Sequence, residues 1–110
     1  MSIEVPLDEL GEEIERWGFC YLLTVSEDER AHVLALHTEV VEAAGGVRLR
    51  FDAGGGRACR NAAERPDVTI VFPPVPRSEG MSLVVDGAAT VDDSVIDVRP
   101  TSAVRHRSAP

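Results

Sequence analysis

With 110 residues, 44% of them hydrophobic and 27% charged, the chain amounts to a single domain spanning 1–110 that can bury a core and carries no signature of disorder. Its formal net charge of −8 repels phosphate polymers and anionic bilayer surfaces, which argues against nucleic acid and membrane as partners. All 11 basic residues are arginine, so Schiff-base lysine chemistry, a phosphate-loop lysine and a lysine general base are excluded.

The N-terminus, MSIEVPLDELGEE, is acidic where an export signal is basic, and no apolar run approaches about 20 residues, so the sequence predicts a soluble, cytoplasmic protein. After Pro6, Leu7, Leu10, Ile14 and Trp17 form a helical stripe with acidic residues near its start and Gly18 as a stop, predicting an amphipathic capping helix whose Glu9, Glu12 and Glu13 face water. Phe19 to Val25 and His32 to Val41 read as two strands joined by a turn over Ser26–Arg30. Gly45 and Gly46 turn into a strand from Val47 to Ala53, in which Val47, Leu49 and Phe51 alternate with Arg48, Arg50 and Asp52.

Gly54, Gly55 and Gly56 lead into a short helix from Arg57 to Arg65 that Pro66 stops. A strand from Val68 to Phe72 ends at Pro73 and Pro74, and a loop leads to Met81–Val85, a kink at Gly87 and Ala88–Val91. A last extended segment, Val95–Val98, is expected to stop before Pro100. These elements predict a mainly β protein: a six-stranded antiparallel barrel with an N-terminal capping helix and a short helix between strands three and four. Strands 68–72 and 81–85 are apolar on both faces, more than so small a barrel covers alone, which predicts a homodimer.

The chemistry-bearing residues exclude several classes. Cys20 and Cys59, with three histidines and no CxxC pair, form neither a disulfide framework nor a zinc set, so no metal is expected. Cys59, beside arginines in a helix, reads as a small buried filler rather than an activated thiol. The serines lack a nucleophile elbow. Gly54 and Gly56 begin a dinucleotide-like fingerprint, but Cys59 stands where its third glycine belongs and no acid for a ribose follows the next strand.

Against the acidic whole, residues 46–66 carry Arg48, Arg50, Arg57, Arg60 and Arg65 with only Asp52 and Glu64. Arg57 falls where backbone N–H groups at a helix start can meet an anion, with Arg60 and Asn61 on the same face, a pattern that suits a phosphate or carboxylate. The same arginines can equally pair with the acidic first helix or stand solvated. His32 and His37 lie five apart in one extended run, point to opposite faces and cannot share a metal.

The stretch VRLRFDAGGGRACRNAAERPDVTIVF resembles the flavin-binding split-barrel family that includes the pyridoxamine 5′-phosphate oxidases and the deazaflavin-dependent reductases. The order of pieces fits over most of residues 7–104. The resemblance implies a homodimer holding an FMN or deazaflavin cofactor, with Arg57 as the phosphate ligand beside the Gly56 N–H, Arg60 and Asn61 as further candidates, Arg50 from the preceding strand, and His32 and His37 at the ends of the second strand. Asp52, Gly56 and Ala58 stand where the oxidases carry a hydroxyl residue, a serine and a lysine, and an aspartate facing a dianion opposes binding. The family's C-terminal substrate segment is also absent, Trp17 being the only tryptophan, which argues against pyridoxamine phosphate as the substrate. Two functions follow from the resemblance: a flavin- or deazaflavin-binding oxidoreductase, in which the cofactor does the hydride chemistry, or a split-barrel homodimer that has lost its cofactor and acts as a binding or structural module.

Overall fold

The structure, a computed structural model, describes residues 2–107. Its strands are β1 (Ser2–Glu4), β2 (Cys20–Val25), β3 (Ala31–Leu36), β4 (Glu39–Ala43), β5 (Gly46–Asp52), β6 (Asp67–Phe72), β7 (Met81–Asp92) and β8 (Val95–Arg107). Two helices, α1 (Leu10–Ile14) and α2 (Arg57–Glu64), and two short 3-10 turns complete it. The strands pair antiparallel in the order β3-β2-β6-β7-β8-β5-β4, with β1 on the far end of β8. The mainly antiparallel β architecture agrees with the sequence. The strand count does not: eight strands replace the expected six, and α2 joins β5 to β6 rather than strands three and four.

Two features account for the extra strands, and a third lengthens the last one. The run from His32 to Val41 breaks at His37 and Thr38, where Thr38 Oγ1 donates to the Arg50 carbonyl at 3.4 Å, so that β3 pairs with β2 and β4 pairs with β5. Ser2–Glu4 is too short to announce itself as a strand but finds unpaired backbone on β8 opposite Val104–His106. Pro100, read as a stop, is instead carried through β8, because it lies opposite Gly87 at the irregularity between Asp86 and Gly87, where a missing N–H costs no ladder bond. A Cβ on Gly87 would lie 2.5 Å from Val98 Cγ1 and 2.8 Å from the Arg99 carbonyl oxygen, so only glycine admits this approach of β7 to β8.

The alternating residues Leu22, Leu49, Phe51, Ile70, Phe72, Leu83, Val85, Ile96 and Val98 point inward and are fully buried. The N-terminal stripe closes this core through Leu10, Ile14 and Trp17, whose indole Nε1–H donates to the Met81 carbonyl at 3.1 Å. The predicted continuous helix is shorter than expected: a 3-10 turn over Leu7–Glu9 precedes α1, and Leu7 remains 38% exposed. Glu13 does not face water either. Its side chain is 13% exposed and lies 3.0 Å from Arg105 Nε and 3.9 Å from Arg16 Nε, pairing α1 with β8.

On the outer face of the sheet, Ala35, Tyr21, Val71, Val84 and Val104 form a row across five strands. Leu23 and Val33 extend it toward the β2–β3 hairpin, where Val33 is 54% exposed. Phe19 packs edge-on against Tyr21 at a centroid distance of 5.2 Å. Among the described residues no helix is long and apolar enough to cross a membrane.

Candidate functional site

The site grows from the glycine turn. Gly54, Gly55 and Gly56 have φ of +68°, +80° and +79°, a sequence of left-handed conformations that side-chain-bearing residues resist. No neighbour crowds these positions, so glycine is required by backbone conformation and not by space. The turn is tied by Asp52, whose Oδ1 accepts the Gly54 N–H at 3.1 Å. Its carboxylate is thereby spent within the turn, and Asp52 lines a different cavity from Arg57.

Gly56, the N-cap of α2, has no side chain to cap the first turn, so the N–H groups at the start of the helix, which begins at Arg57, have no side-chain cap. The helix buries Ala58, Cys59, Asn61 and Ala62 against the sheet and leaves Arg57 and Arg60 on the surface. Asn61 is a tether: its Nδ2 donates to Oγ1 of the fully buried Thr24 on β2 at 3.2 Å. Through that bond the helix start is held over the β2–β3 hairpin, and Thr24 in turn sits directly opposite His32 on β3.

The hairpin tip supplies the opposing wall. Ser26 Oγ accepts the Arg30 N–H at 3.3 Å, and its single O–H lies within reach of two acceptors, the Asp28 carboxylate and, at 3.2 Å, the Arg30 carbonyl. The turn closes with Glu29 at φ +63°. Between this tip and α2 lie two adjoining cavities. The first, about 560 Å³, is lined by Ser26, Glu27, Asp28, Arg57, Arg60, Asn61 and Glu64. The second, about 500 Å³, is lined by Ser26, Asp28, Arg30, Ala31, His32 and Arg57. Ser26, Asp28 and Arg57 border both.

Two features mark this place as able to hold an anion. Ion pairs among the described residues engage Arg16, Arg48, Arg50, Arg65 and Arg105, and none engages Arg57 or Arg60, so neither is neutralised by the acidic first helix. His32 also lines the second cavity, and its Nδ1 is buried with no hydrogen-bond partner among the described residues. Guanidinium groups, an imidazole nitrogen and uncapped N–H groups are the donors a phosphate takes.

Thus Gly56, Arg57, Arg60, Asn61 and His32 gather around one region. His37 and Arg50 do not join them. They line a separate cavity of about 440 Å³ with Thr38, Glu39, Phe51, Asp52 and Val95. Arg50 Nε lies 3.7 Å from Asp97, which also accepts from Arg48 at 3.3 Å. Sequence reasoning missed Arg30, Glu27 and Asp28 as wall residues, since the turn was legible but the strand pairing that lays it beside α2 was not. Both cysteines are free and buried, and burial pushes the Cys20 thiol up to about 12. No group of three or more His, Cys, Asp or Glu among the described residues is arranged to hold a metal.

No family model matches the chain. It is 36% identical, over 118 aligned positions, to the uncharacterized protein Mb0449c of Mycobacterium bovis, covering 96% of this chain and 82% of that protein. The uncharacterized protein MT0457 of Mycobacterium tuberculosis matches with the same identity and coverage. Among solved structures, an F420 reductase superposes with a TM-score of 0.64 at 20% identity, covering 82% of this chain and 91% of that one. The FAD binding protein from Mycobacterium smegmatis superposes with a TM-score of 0.63 at 19% identity, covering 97% and 100%. At these identities the likeness establishes a shared fold, and it bears out the resemblance to the flavin- and deazaflavin-binding split barrels at that level.

Proposed function

The chain belongs to the same family as the two mycobacterial proteins it matches, and on the fold it shares with an F420 reductase and an FAD binding protein we propose that it binds a flavin-type cofactor, FMN or a deazaflavin, as a small oxidoreductase. The carrying observation is that Arg57 and Arg60, at a helix start without a side-chain cap, take part in no ion pair among the described residues, and that Arg57 lines one cavity with His32. In this reading Arg57 and the first N–H groups of α2 bind the cofactor phosphate, His32 donates to it from the opposite wall, and Asn61 holds the helix start in position through Thr24. The cofactor, when bound, supplies the hydride chemistry, and the protein orients it and limits access of water.

The functional unit is a cytoplasmic homodimer. The outer row of Ala35, Tyr21, Val71, Val84 and Val104, with Leu23 and Val33, is an apolar surface suited to a self-complementary contact. It adjoins the hairpin that walls the cavity, so a second copy seated there also approaches the ligand.

The test has two readouts. Light scattering of purified protein at micromolar concentration is expected to give twice the chain mass. Titration with FMN and with the deazaflavin F420, followed by ligand fluorescence, is expected to saturate for at least one of them. A dimer that binds neither is instead the cofactor-free module, and a monomer removes the proposed interface.

A further inference from the structure

A further cavity, of about 410 Å³, shares no lining residue with those described above. It lies where Leu7 and Asp8 of the first 3-10 turn and Gly11 of α1 meet Glu42 of β4 and Arg99 of β8. The β4–β5 turn at Gly45 and Gly46, with Val47 and Pro100, completes the lining. Its charged groups are not engaged elsewhere: Asp8, Glu42 and Arg99 take part in no ion pair and no side-chain hydrogen bond among the described residues. Gly11 keeps the place beside Glu42 open. Glycine weakens a helix, yet a Cβ at this position would lie 2.5 Å from Glu42 Oε1, so any other residue displaces that carboxylate. Leu7, expected in the core, is 38% exposed here, and with the buried Val47 and Pro100 it gives the cavity an apolar surface.

We propose that this cavity is a second ligand site, independent of the flavin-type one, and that it takes a small zwitterion: a free α-amino acid with an apolar side chain. The ammonium group donates to Glu42 and Asp8, the carboxylate accepts from the Arg99 guanidinium, and the side chain packs on Leu7, Val47 and Pro100. The composition of the lining selects this class. A simple cation leaves Arg99 uncompensated and adds a like charge beside it, whereas a simple carboxylate meets two carboxylates for one guanidinium. A ligand with both charges on neighbouring atoms satisfies all three groups at once. A bound ligand also ties α1, the β4–β5 turn and β8 together, three segments distant in sequence.

The experiment titrates the isotope-labelled full chain with L-leucine, with isoamylamine, which lacks the carboxylate, and with isocaproate, which lacks the ammonium, following backbone amide resonances. Leucine is expected to bind with a Kd of about 0.1–1 mM and to move the amides of Gly11, Gly45 and Gly46, leaving those of Gly54, Gly55 and Gly56 in place. Each analogue is expected to bind at least about tenfold more weakly. Arg99→Gln should weaken leucine by about tenfold and leave isoamylamine no weaker, and Glu42→Gln should weaken leucine and leave isocaproate no weaker. Both side chains are exposed, so an unchanged melting temperature verifies folding. Gly11→Ala separates binding from stability: it should weaken leucine roughly three- to tenfold by displacing Glu42, at an equal or higher melting temperature, since alanine favours the helix. Three results each overturn the site: no movement of Gly11, Gly45 and Gly46 up to about 20 mM leucine, equal binding of either analogue, or a leucine affinity that all three variants leave intact. No flavin enters the titration, so each of these results leaves the flavin-type reading where it stands.

Discussion

Arg48 and Arg50 on β5 and Arg57 and Arg60 on α2 belong to one basic stretch of sequence, yet the fold treats them differently. On β5 the arginines point to the outer face, where the register sets Arg50 opposite Asp97 of β8, and that carboxylate lies 3.3 Å from Arg48 and 3.7 Å from Arg50. Cross-strand pairing therefore neutralises them within the sheet. On α2 the equivalent charges extend from a helix start with no acidic residue in its first turn, and no carboxylate approaches within ion-pair distance among the described residues. The lesson is that a basic island in sequence is not one site. Ladder geometry delivers a counter-ion to the strand half and none to the helix half, and only the helix half has charge to offer a ligand.

The largest expected effect calibrates the comparison from outside both clusters. Trp17→Ala removes a buried indole and its bond to the Met81 carbonyl, and should lower stability by about 3 kcal/mol. Urea unfolding measures this, and FMN affinity of the folded fraction should stay unchanged. A change in affinity at constant stability would make the N-terminal cap part of the site. Next, Arg57→Ala should weaken FMN binding roughly 10- to 150-fold, the equivalent of about 1.5–3 kcal/mol for a charge-assisted bond, with little change in unfolding. Unaltered affinity would place the anion elsewhere and dissolve the contrast between the two clusters.

Asn61→Ala, which unties α2 from Thr24, should cost about 1–2 kcal/mol of stability and weaken FMN binding less than the Arg57 change does. If it instead abolished binding with stability intact, Asn61 would be a ligand rather than a tether. Asp97→Ala releases Arg48 and Arg50 and should cost at most about 1 kcal/mol, less in high salt, because the pair is half-exposed. Flavin affinity should not move. Smallest of all, Asp52→Thr should leave affinity within about twofold, since that carboxylate faces Gly54 and not the Arg57 cavity. A marked gain in affinity on this substitution would show that the carboxylate opposes the phosphate after all.

Local pattern was enough for β2, β5 and β6, whose alternating or continuous apolar runs are bounded by glycine and proline and were found to within a residue or so. It was enough as well for α2, which the glycine turn starts and Pro66 ends. The division of residues 31–43 into β3 and β4, the passage of β8 through Pro100 and the addition of β1 were illegible in each segment alone, because each depends on a pairing partner: β2 and β5 for β3 and β4, Gly87 of β7 for Pro100, and the far end of β8 for β1.

The same boundary runs through the site. The run Gly54–Arg60 by itself determined a turn of left-handed glycines opening into a basic helix start, since backbone sterics and helix-end donors are local properties. Which arginines keep their charge available, that Asn61 is bonded to Thr24, that His32 but not His37 stands beside Arg57, and that Glu27 and Asp28 form the opposing wall were decided by tertiary structure alone. Charge neutralisation acts through space over a few ångströms, and strand pairing, not proximity in the chain, sets which groups come that close.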